Sequence, residues 1–131
     1  MKIVKNDCFG GFGLSVKGKL RLGELRGTPF YIFTNAPGTF TGSPTPWDGV
    51  TEPPLGLYYY CTAKEWDESL AVYDSDIPRD DHCLVQVVEE LGDEANNRFA
   101  KLIVVEVPDN IEWYVDEYDG AETIRENHRE W

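Results

Sequence analysis

A chain of 131 residues is enough for one domain that buries about two-thirds of its unfolded surface, and its 41% apolar and 13% aromatic content excludes the disordered class. Twelve Lys and Arg against 24 Asp and Glu give a net charge of −12; a field of that sign repels nucleic-acid phosphate and disfavours DNA or RNA as partner. No apolar run is long enough to span a membrane and no charged-then-apolar leader is present, so the expectation is a soluble, cytoplasmic protein.

The charge is uneven. Residues 1–27 hold six Lys and Arg against two acids, whereas residues 28–131 hold six against 22. The acidic part suits solubility, and it also suits a basic protein surface as partner. Three cysteines, Cys8, Cys61 and Cys83, cannot all pair within one chain, so they read as buried thiols of a reducing compartment.

In chain order, "MKIVK" is a short strand, followed by the glycine-rich corner "NDCFGGFGLS". Ser15 is placed to cap a helix over "VKGKLRLGELRG", with Val16, Leu20, Leu22 and Leu25 near one face and Gly27 as the stop. Gly18 and Gly23 each cost such a helix about 1 kcal/mol relative to Ala, and a β-hairpin is the competing reading. "TPFYIFT" is a strand of aromatic and β-branched residues. Residues 35–56 carry five prolines and four glycines, which predicts a long loop without helix or central strand. Phe40 and Trp47 within it are placed either to cap a pocket or to tuck back onto the core.

"LYYYCT" is a buried strand, "AKEWDESLAVY" a short helix or a turn, and "DSDIPRDD" a polar loop. Asp81 is the expected N-cap of "HCLVQVVEELG", where Leu84, Val87, Val88 and Leu91 share one face and Gly92 ends the helix. "DEANNRFA" follows as a second helical piece. "KLIVVEVPDNIEWYVDEYD" predicts a β-hairpin turning at Pro108–Asn110, and "GAETIRENHREW" a short terminal helix. The class is α+β: a single domain over residues 1–131, a mixed or antiparallel sheet, about three short helices and a C-terminal hairpin.

The glycine corner fits neither well-known phosphate motif. Gly10, Gly11 and Gly13 lack the G-x-G-x-x-G spacing, and no G-K-[ST] follows. Two readings remain: an anion site at a helix start, with Lys17, Lys19 and Arg21 behind it, or a packing corner whose anchors are Phe9 and Phe12. Asp74, Asp76, Asp80 and Asp81 lack the calcium-loop pattern, so no metal and no cofactor is expected. Arg79 can clamp a phosphate or lock a neighbouring carboxylate. His82 and His128 stand in no local catalytic signature, and the expectation is a protein that is not an enzyme. Tyr58, Tyr59 and Tyr60 alternate faces along their strand, so rings remain for a stacking pocket or an oligomer interface.

The motifs "NDCFGGFGLS" and "IPRDD…LVQVVEELG…EYDG", in this order over residues 1–15 and 76–131, resemble a family of small, mostly uncharacterised tailed-phage and prophage proteins. That family often has proline where His82 stands. Its first helix is usually a better one than "VKGKLRLGELRG", and the Pro-rich loop is peculiar to this chain. The resemblance implies phage origin and action in the host bacterial cytoplasm.

By analogy of lifestyle, the expectation is a counter-defence sponge that sequesters a nucleotide immune signal, of cyclic ADP-ribose type or a cyclic oligonucleotide, as a homo-oligomer. The glycine corner is expected to supply Phe9, Gly10, Gly11, Phe12 and Gly13 to the small anionic ligand. Arg79 and Asp80 of the "IPRDD" loop, Tyr59 and Asn97 complete the expected set. The alternatives are an acidic inhibitor that covers a basic host protein and a small hydrolase of such a signal.

Overall fold

Ile3 and Val4 are neighbours in β1 (Lys2–Asn6) and so point to opposite faces of the strand. The computed structural model, which describes residues 1–35, 44–50, 53, 57–126 and 129–130, buries both completely. A strand with two apolar faces needs a cover on each. β1 pairs antiparallel with β5 (Leu102–Glu106), Ile3 opposite Val105 and Asn6 opposite Leu102. Val4 joins the main core with Leu22 of α1 (Val16–Arg26) and Leu84, Val87 and Val88 of α2 (His82–Leu91). Ile3 joins a smaller core with Val107 and Ile124, flanked by Trp113 and Val115. The β1–β5 ribbon therefore lies between a helical layer and a β layer.

Both helices start where the sequence places them. Ser15 Oγ accepts from the Gly18 N–H at 3.0 Å, and Gly27 in the left-handed region ends α1. Asp81 Oδ1 accepts from the N–H groups of Cys83 (2.8 Å) and Leu84 (3.1 Å). Gly18 and Gly23, costly for an isolated helix, are the points where α1 closes on Ala95 and Phe30.

A second antiparallel sheet has β2 (Tyr31–Thr34) between β3 (Thr45–Pro46) and β4 (Tyr59–Cys61). The two-residue β3 comes from the segment expected to be all loop. Its proline is tolerated because the strand is an edge. Trp47 follows, its backbone N–H donating to Ile32 and its ring meeting Tyr58 edge-on at 5.1 Å. Phe40 lies outside the described residues.

The third sheet corrects two expectations. β5 does not turn back at Pro108–Asn110 to form a hairpin; it pairs with β1. The hairpin lies one element later, between β6 (Tyr114–Tyr118) and β7 (Ala121–Glu126), with β8 (Arg129–Glu130) alongside β7. The expected terminal helix is thus a strand. The signal was the Asp119-Gly120 pair: both residues have positive φ (50° and 88°), the two-residue turn that matches strand twist. Glu122 and Ile124 then point inward at period two. The α+β class stands, with antiparallel sheets and, among the described residues, two α-helices and 3-10 turns at Glu68–Leu70, Asp74–Asp76 and Gly92–Ala95. The helical piece expected at "DEANNRFA" stops at Ala95. There Asn96 and Asn97 turn their side-chain amides to backbone N–H groups, of Leu102 (2.9 Å) and Phe99 (3.0 Å).

Asp81 links both helices, since it also takes Arg26 of α1 at 2.9 Å. Burial tends to raise its carboxyl, but the Leu84 N–H, the Arg26 guanidinium and the Cys83 N–H outweigh this and hold it below the usual aspartate value. A carboxylate depressed in the folded state stabilises above its unfolded pKa, and that contribution disappears as pH falls through the folded value. Asp81→Ala is expected to cost about 1 kcal/mol near neutral pH. In urea melts the gap between the two proteins should close towards acid pH. A gap that persists unchanged in strong acid would contradict the cap.

Candidate functional site

Asn6 at the end of β1 is completely buried, and a buried amide must find partners for its two donors and its acceptor. Its Nδ2 donates to the carbonyls of Cys8 (2.8 Å) and Gly120 (2.7 Å), while its Oδ1 accepts from the Lys101 N–H at 2.8 Å. Its own backbone N–H donates to Glu122 Oε1 at 2.7 Å. Glu122, with 5% of its side chain exposed, receives both terminal nitrogens of Arg79, at 2.5 and 2.8 Å. The guanidinium lies over the Phe12 ring, 3.6 Å from its centroid, and the Arg79 carbonyl accepts from the Val4 N–H at 2.8 Å.

Those contacts decide several expected site residues. Arg79 locks a carboxylate, and its fork is spent on Glu122. Phe12 is half-buried beneath it and packs on the main core. Phe9, a core anchor on the packing reading of the corner, is 72% exposed, because the corner turns outward at Phe9-Gly10 before returning. The glycines are there for close approach. A Cβ on Gly10 would overlap the Phe99 carbonyl, one on Gly13 would overlap the Asn97 amide, and one on Gly120 would strike the backbone at Gly11. The corner is wedged between the turn at 97–99 and the β6–β7 turn.

A cleft of about 500 Å³ opens beside this corner. Leu14, Ser15 and Val16, at the start of α1, line one side; Leu57, Tyr58 and Tyr60 line another, and Asn96 to Phe99 a third, with Asp74 also on the wall. The volume is that of a small-molecule site. Tyr58, just ahead of β4, and Tyr60 within it line the cleft, whereas Tyr59 between them does not; it packs edge-on to Trp66 at 6.1 Å and accepts from Asn35 at 3.3 Å. Of the expected set, Asn97 lines the cleft, and Gly10 and Gly13 support its wall from behind. Asp80 is exposed in the turn before α2, away from it.

Two charges meet the cleft. Asp74 pairs with Lys19 Nζ, a lysine side chain only 3% exposed, whose ammonium also lies 4.8 Å from the Tyr60 ring centroid. Burial pushes the Tyr60 hydroxyl well above its ordinary value, with Asp74 and Tyr58 adding to the shift, so it stays a neutral phenol. Arg98 approaches the Phe99 ring at 5.7 Å and meets no carboxylate among the described residues. Leu57, Arg98 and Phe99 escape the sequence reading, where Asp74 figures only as a rejected metal ligand. For Arg98 and Phe99 the signal is the Asn-Arg-Phe turn, in which Asn97 Oδ1 caps the Phe99 N–H and turns both outward.

Among the described residues no group of three or more His, Cys, Asp or Glu is placed to hold a metal, and no helix is long and apolar enough to cross a membrane. Comparison with protein-family models, curated proteins and solved structures finds no match to the chain.

Removing one member of a buried ion pair leaves the other uncompensated, at a cost of about 3–5 kcal/mol. Glu122→Ala is expected to lose that much in urea unfolding, and the pair Arg79→Met with Glu122→Leu to recover a large part of it. A loss below about 1 kcal/mol, the range of a surface pair, would show that the contact is solvated and holds nothing.

Proposed function

We propose that this chain is a non-catalytic binding protein, a phage counter-defence sponge that holds a small nucleotide-like anion in the cleft between α1, β4 and the 97–99 turn. Arg98 carries the proposal: in a chain of net charge −12, an arginine without a carboxylate partner among the described residues stands at an aromatic cleft. Flat rings of Tyr58, Tyr60 and Phe99 suit a base, whose π-faces stack on aromatics. Arg98 suits a phosphate, which it can grip with two nitrogens. Asn97 adds an amide for specificity.

The reading keeps the ligand class expected from the sequence and moves the site from Arg79 to the neighbouring wall. It needs no bond cleavage, and no nucleophile-base pair is asked of the cleft.

A second reading has its own observation. β6 is an edge strand, with Tyr114 54% and Tyr118 76% exposed among Glu112, Asp116, Glu117 and Asp119. Aromatic rings within an acidic rim suit the basic surface of a host protein. Such capture weakens with salt, whereas stacking in the cleft does so far less.

A thermal-shift screen with cyclic oligonucleotides and cyclic ADP-ribose isomers tests the sponge, because a ligand of the native state raises Tm by mass action. At least one nucleotide is expected to stabilise the protein and to be recovered intact after denaturation. Arg98→Ala and Phe99→Ala should each weaken it about tenfold or more, the worth of one charged hydrogen bond or one stacked base. No shift with any nucleotide would remove the proposal, and a cleaved ligand would replace it with the hydrolase.

A further inference from the structure

The two charges of the cleft differ in kind, and the difference selects a ligand. Asp74 sits on the 3-10 turn Asp74–Asp76, with its Oδ1 taken by Lys19 Nζ. Lys19 is buried under Tyr60 and reaches the carboxylate from inside α1. An ammonium so enclosed holds its partner carboxylate fixed in direction. The other oxygen, Oδ2, meets no donor among the described residues, and the side chain remains 29% exposed. A fixed carboxylate oxygen at a cleft wall accepts an N–H and repels a phosphate.

We infer that the cleft takes a nucleotide whose base bears an exocyclic amine, with the amine donating to Asp74 Oδ2 and the phosphate held by Arg98. This rests on the sponge reading of the same cleft and adds the base class. The orientation follows from charge alone, since the anionic end of the ligand is excluded from Asp74 and drawn to Arg98. Tyr58, Tyr60 and Phe99 leave the flat faces of the base to stacking, which does not discriminate among bases. Discrimination therefore falls to the edge that meets Asp74. A site built to receive a hydrogen bond rejects the analogue that lacks the donor, since the desolvated acceptor is left unpaired.

The test compares two probes on the unmodified chain by titration calorimetry: adenosine 5′-monophosphate, and purine riboside 5′-monophosphate, which differs only in lacking the 6-amino group. The adenine nucleotide is expected to bind at least about tenfold more tightly, the worth of one hydrogen bond to a charged group. Asp74→Asn, which can still accept from Lys19 but turns an N–H toward the ligand, should abolish the preference. A thermal melt without ligand reports whether that variant is folded; the probe comparison on the unmodified chain stands without it. Equal affinity for the two probes would overturn the inference and leave the sponge reading in place. Binding of neither would also overturn the inference, and the sponge reading then rests on the screen with cyclic nucleotides.

Discussion

Glu122 is a carboxylate enclosed by a small protein, and an unpaired charge in that position would cost about 3–5 kcal/mol, a large share of a domain's stability. Three donors converge on it: the Asn6 N–H and the two terminal nitrogens of Arg79. Meeting that requirement brings together the end of β1, the loop before α2 and the first inward position of β7. These segments are far apart in sequence. Asn6 extends the set by holding the carbonyls of Cys8 and Gly120 and the N–H of Lys101. The resulting polar network crosses the seam between the two apolar cores and leaves no partner of Asn6 to chance.

The cleft is a consequence of that network. With Cys8 and Gly120 fixed, the glycine corner has to pass between the β6–β7 turn and the 97–99 turn, and only residues without Cβ pass at Gly10 and Gly13. The corner then delivers Leu14 and Ser15 to the start of α1, where Ser15 takes the Glu94 carbonyl at 2.6 Å and its N–H meets Ala95 at 2.8 Å. The 97–99 turn is thereby pressed outward, with Arg98 and Phe99 on its rim. The corner, which the sequence leaves open between an anion site and a packing corner, is the support behind one wall of the cleft.

Local signals carried much of the fold. Ser15, Asp81 and Gly27 each stop or start a helix through a short-range contact, and the apolar stripe of α2 needs only its own periodicity. What failed was pairing. The run 102–118 reads as a hairpin because Pro-Asp-Asn is a good turn, yet β1 offers β5 an apolar partner on both faces. A turn propensity does not reveal that partner. The Asp119-Gly120 turn is legible in the sequence, but the polar tail behind it carries helix-forming residues that mask the strand. Arg79 could be read only as a clamp or a lock, since the choice depends on Glu122, 43 residues away. The cleft was legible least, because Tyr58, Asp74 and Arg98 meet only through tertiary packing.

The proposal divides the labour: Arg79 and Glu122 hold the corner, while Arg98, Phe99 and the two tyrosines are proposed to take the ligand. Nitrogen-15 NMR of the chain titrated with adenosine 5′-monophosphate reads both halves at once. The account predicts shifts at Asn97, Arg98, Phe99 and residues 57–60, with the Arg79 guanidinium resonance unmoved. Movement of the Arg79 resonance with the cleft residues silent would contradict it and return the site to the glycine corner.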